Sequence, residues 1–99
     1  MKLTAEKIQI NWVEFMSNID TYISSPRKEK LKSFYNKFEE RISLMPASHK
    51  KEYHSAFPGG YVDHVNRVVK ASLSMSAVWD GFGADMSTFT TEELVFSAI

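Results

Sequence analysis

The stretch Tyr61-Val62-Asp63-His64-Val65-Asn66-Arg67-Val68-Val69-Lys70-Ala71-Ser72-Leu73 decides the fold. Val62, Val65, Val69 and Leu73 recur at spacings of three and four, which is the period of one helix face. His64, Val68, Ala71, Met75 and Val78 mark the adjoining face, so a helix over about 61–79 is apolar on two sides. Such a helix belongs at the centre of a helical domain. Gly81-Phe82-Gly83 ends it, and Pro58-Gly59-Gly60 precedes it with backbone suited to a tight turn.

The flanking segments carry the same period. Ile8, Trp12, Phe15, Met16, Ile19, Tyr22 and Ile23 trace a stripe that predicts a first helix over 5–24, with Thr4 as its N-cap and Glu6 at the positive end of its dipole. Glu14, Asn18 and Asp20 fall off this stripe. Ser25-Pro26 restarts the chain, and Leu31, Phe34, Tyr35, Phe38, Ile42 and Met45 predict a second helix over 26–45. Pro46 closes it. The short break between the two predicts an antiparallel hairpin over 1–45. Thr90 and Glu93 have the spacing of a capping box, so a last helix opens at about 91 and runs through Leu94, Val95, Phe96 and Ala98 to Ile99. The expected class is all-α: the hairpin, followed over 46–99 by the first helices of a second unit. No strand is expected.

Composition narrows the function. The 99 residues are 43% hydrophobic and 24% charged, ordinary for one globular domain. Twelve basic side chains balance twelve acidic ones, which argues against non-specific binding to nucleic acid or an anionic membrane. No run approaches the ~20 apolar residues of a membrane span, and the first residues lack the apolar core of a signal peptide. The absence of cysteine excludes disulfides, thiolate zinc sites and thiol nucleophiles. The expected setting is cytoplasmic.

Few residues offer chemistry. Of His49, His54 and His64, only His64 lies within a clear helix, and a lone helical histidine is ordinarily a packed or solvated side chain. Arg27, Lys28, Lys30 and Lys32 cluster at the start of the second helix, interrupted by Glu29, and read as a solvated face. Trp12 and Trp79 sit at helical spacing and read as core.

A longer pattern adds to this. Leu44-Met45-Pro46-Ala47-Ser48, followed by His54-Ser55-Ala56-Phe57-Pro58-Gly59-Gly60-Tyr61-Val62-Asp63-His64, resembles the opening of HD-domain metal-dependent phosphohydrolases. The likeness is to the branch holding HD-type exoribonucleases and the HD-like region of conjugative relaxases. It spans about Leu44 to Ile99, and its most specific element is Gly59-Gly60-x-x-x-His64. The resemblance implies a parent enzyme acting on a nucleotide or nucleic-acid phosphoester through a divalent metal ion. It makes His64 the first metal ligand, with His54, Gly59 and Gly60 on the substrate side. Ser55 stands where the family often has a second histidine. A His-Asp doublet and a distal Asp would complete the site, and neither lies within these residues. One imidazole cannot hold such an ion and leave a position open for water, so these 99 residues are expected to be a catalytically silent fragment without a cofactor. The alternative is a non-enzymatic helical module that binds a protein or itself. Self-association is expected through helices 61–79 and 91–99, where Val65, Val69, Leu73, Leu94, Val95 and Phe96 would need cover.

Overall fold

Thr4 opens the first helix as expected: its hydroxyl accepts from the Lys7 amide at 3.0 Å, and α1 spans Ala5–Tyr22. The computed structural model describes residues 2–47, 57–85 and 89–99. These residues form five helices and, among the described residues, no strand, so the fold is all-α. After α1 come α2 (Arg27–Lys37), α3 (Glu39–Leu44), α4 (Gly60–Gly81) and α5 (Thr91–Ala98).

The stripe on α1 builds the core. Trp12, Phe15 and Ile19 are buried, with Ile23 just beyond the helix end, while Met16 and Tyr22 pack at the margin. Phe15 meets the Tyr35 ring edge-on at 4.9 Å, and Asp20 pairs with Lys32 at 3.0 Å. A later residue of α2 thus meets an earlier residue of α1, which makes α1 and α2 run antiparallel.

The second helix departs from its sequence pattern. The expected single helix over 26–45 is two, broken at Phe38, whose φ of −113° and ψ of 21° leave the helical region. Its amide turns to the Tyr35 carbonyl at 3.2 Å. No glycine or proline marks this break. The break lets Ile42 enter the core, while Phe34 stays exposed against the rings of Tyr35 and Phe38. Met45 is extended, as a residue before proline prefers, and α3 ends there.

The central position of α4 holds for its first half only. Val62, Val65 and Val69 are buried, and the helix packs against α1, α3 and α5. Met75, Val78 and Trp79 are each about half exposed, and Phe82 is 82% exposed. Trp79 is therefore a surface residue, contrary to the core position its spacing suggests. The period alone cannot say how far along a 22-residue helix its neighbours reach.

The capping box of α5 is present in full: the Thr90 hydroxyl accepts from the Glu93 amide, and the Glu93 carboxylate accepts from the Thr90 amide, both at 3.1 Å. Glu92 ties α5 to the end of α1, its carboxylate accepting from the Ser24 amide and, at 2.7 Å, from the Ser24 hydroxyl. The amide and then the hydroxyl hold the Glu92 carboxyl below its ordinary value. Lys32 does the same to Asp20, and the Ser25 hydroxyl to Glu29. Carboxyls depressed in the folded state contribute stability above their unfolded pKa and lose it as pH falls through the folded value. The denaturation midpoint should therefore hold near neutrality and drop below about pH 4.5. Urea titrations at neutral pH and at about pH 3 should show a smaller difference for Glu92→Gln than for the parent chain.

Candidate functional site

The turn into α4 is built by backbone. Gly59 has φ 83° and is buried, and its amide donates to the Leu44 carbonyl at 3.1 Å. A Cβ at Gly59 would lie 2.8 Å from Ile8 Cγ1, so glycine is required both for the left-handed backbone and for the approach of α1. Gly60 donates to Phe57 at 2.8 Å and Tyr61 to Met45 at 2.9 Å. These amides at the start of α4 are occupied by the protein's own carbonyls, which leaves them unavailable as an anion cradle. The two glycines expected on the substrate side thus serve the seat of α4 on α1 and α3.

This turn fixes where the following side chains point. His64 is exposed, whereas its neighbour Asp63 turns inward and is 5% exposed. The phenol of Tyr61, one turn before His64, reaches the Ile99 carbonyl at 3.5 Å. The end of α5 therefore lies beside the first turn of α4, on the edge that also carries His64. His54 and His49 lie outside the described residues.

The donors present do not by themselves fit a divalent ion. Among the described residues, no three His, Asp or Glu side chains converge as a ligand set. His64 supplies one imidazole, and Asp63, about 100° away around the helix, is engaged by Asn11 and Arg67. No hydrolytic step can be derived from these residues alone.

A polar cluster that the sequence did not single out lies between α1 and α4. Asn11, Asp63 and Asn66 are all at least nine-tenths buried. Asn11 Nδ2 donates to Asp63 Oδ1 at 3.1 Å; Asn66 Nδ2 donates to the Asn11 carbonyl at 2.9 Å and to Glu14 Oε2 at 3.4 Å. Arg67 Nε stands 3.0 Å from Asp63 Oδ2, which neutralises its charge without aligning a hydrogen bond. Among the described residues, Asn66 Oδ1 is a buried acceptor that receives no donor, and Asp63 Oδ2 has the Arg67 ion pair but no aligned hydrogen bond. A buried acceptor left this way costs about 1–3 kcal/mol. Spacing could have revealed the cluster: Lys7, Asn11, Glu14 and Asn18 repeat at three and four along α1, as do Asp63, Asn66 or Arg67, and Lys70 along α4.

Compared with known protein families, curated proteins and solved structures, the chain matches none. Among the described residues, no helix is long and apolar enough to cross a membrane.

Proposed function

We propose that residues 44–99 form the opening of an HD-type metal-dependent phosphohydrolase and that His64 is the first ligand of its metal site. The substrate class is a nucleotide or nucleic-acid phosphoester, and a chain without cysteine suits a reducing cytoplasm. The observation that supports this reading is the contact of Tyr61 with Ile99. Any residues joined to Ile99 would begin near the first turn of α4, which also carries His64, and the family pattern calls for its His-Asp doublet close to that histidine. The Gly59-Gly60 turn supports it further, since it seats α4 so that His64 faces outward and Asp63 inward.

The test is the nucleic acid that encodes the chain. The reading frame past Ile99 should enter His-Asp within a few residues and reach a further Asp on a later helix. A stop codon directly after Ile99 would overturn the reading. The 99 residues alone should bind no divalent ion and hydrolyse no phosphoester.

A second reading, a helical interaction module, is favoured by one observation: Met75, Val78, Trp79 and Phe82 are exposed along the last turns of α4. The six side chains that the sequence pattern marks as needing cover are a poorer basis. Val65, Val69 and Val95 are already buried within one chain, and Leu73 and Leu94 are partly covered. If this module pairs with itself, sedimentation should show a dimer that Trp79→Asp disperses, because a charge would replace an apolar contact. A monomer at high concentration would exclude pairing.

A further inference from the structure

The second half of α4 carries an apolar stripe on its open face. Ala71, Met75, Val78 and Phe82 follow at spacings of four, three and four, so they share a band about 60° wide. All four are exposed, Phe82 most of all. Phe82 stays on the stripe because its amide still donates to the Val78 carbonyl at 3.2 Å. Asp80 is the only charged residue from 71 to 82, and it lies on the far side of the helix from the stripe. Beside the stripe opens a hollow of about 440 Å³, formed by Ala71, Ser72, Ser76 and Trp79 of α4 with Leu94 of α5.

We infer that this stripe pairs with the same stripe of a second copy, the two α4 helices antiparallel, Phe82 against the partner's Ala71 and Val78 against the partner's Met75. The pairing rests on reading the last turns of α4 as an interaction face, and it names the occupant of that face. Self-complementarity selects a second copy. Read in opposite directions, the stripe sets its largest side chain on its smallest at both ends of a two-fold pair. The same register brings the partner's Phe82 to the rim of the hollow beside Ala71. A parallel pair would set Phe82 on Phe82 and Ala71 on Ala71, crowding one end and leaving a gap at the other. Without a charge on the stripe, identical faces meet free of repulsion. With Trp79 at its edge, the stripe offers on the order of 500 Å² of open apolar surface per copy. A pair would bury about 1,000 Å², the lower limit of a specific interface, so Kd should be roughly 100 µM.

The chain has no cysteine, so introduced thiols report the register without background. Sedimentation of the parent protein should show a monomer–dimer equilibrium between about 0.01 and 1 mM. Under mild oxidation, an equimolar mixture of Ala71→Cys and Phe82→Cys should cross-link at least about tenfold faster than Ala71→Cys alone. In the antiparallel pair two copies of position 71 stand about 16 Å apart along the helices, too far for a disulfide. Both positions are exposed, so the far-ultraviolet spectra should match the parent. Faster linkage of Ala71→Cys to itself would overturn the antiparallel pairing. A parent that stays monomeric at about 1 mM would overturn it as well. In that monomer, the thiol of Phe82→Cys then separates two failures. Reaction with a thiol reagent at the rate of a free thiol would leave the open face standing and reject only the second copy. Protection of that thiol would reject the interaction face too.

Discussion

Phe15→Ala is expected to lower the stability of the folded chain by about 3–5 kcal/mol, the usual cost of emptying a large aromatic site. Phe15 is 1% exposed, stacks on Trp12 at 5.5 Å and takes the Tyr35 ring at its edge. Its removal would open space where α1 meets α2. Single domains hold only about 5–15 kcal/mol in total, so the variant should unfold at a much lower urea concentration. The slope of the transition should not change, because the unfolded state is the same. A midpoint within error of the parent would mean that α1 and α2 do not pack as described. Ile19→Val, at a fully buried position in the same row, should cost about 1 kcal/mol and serves as a graded companion.

Gly59→Ala carries the second large effect, and it arises from two causes that can be separated. The left-handed backbone costs a non-glycine residue about 1–2 kcal/mol. The new methyl would also sit 2.8 Å from Ile8 Cγ1, and relieving such overpacking commonly costs about 1–3 kcal/mol. Gly83 isolates the first cause: it has φ 87° but nothing within 4 Å of a built Cβ. Gly83→Ala should therefore cost only the backbone part. The excess of Gly59→Ala over Gly83→Ala measures the approach of α1, and Ile8→Ala should recover some of that excess when combined with Gly59→Ala. Equal losses at the two glycines would show that α1 does not bear on the turn. Because the turn orients α4, any shift there would also move His64 relative to Ile99.

Sequence pattern and structure agree where packing is local and part where it is not. The α1 stripe from Trp12 to Ile23 and the valine row of α4 were legible because every member faces one continuous core. The caps at Thr4 and Thr90 were legible because their chemistry closes within three residues. The break at Phe38 was not, since it answers to the fit of Ile42 in the core rather than to a helix-breaking residue. Trp79 departs from its pattern for a related reason: its spacing continues the apolar period, but about half of its surface stays open. Asp63 shows the same limit most clearly. Asn11, fifty-two positions earlier, and Arg67, one turn later, make its burial tolerable. A partner so distant in sequence leaves no local trace.

The most direct test of His64 as a metal ligand is a titration of Mn²⁺ into the protein translated from the whole reading frame that contains residues 1–99, alongside its His64→Ala variant. Saturable binding by the parent is expected, with a loss of at least about a hundredfold in affinity for the variant and the far-ultraviolet spectrum of both unchanged, because His64 is exposed and removing it leaves the core intact. Equal affinity in the two proteins, or no binding by either, would contradict it.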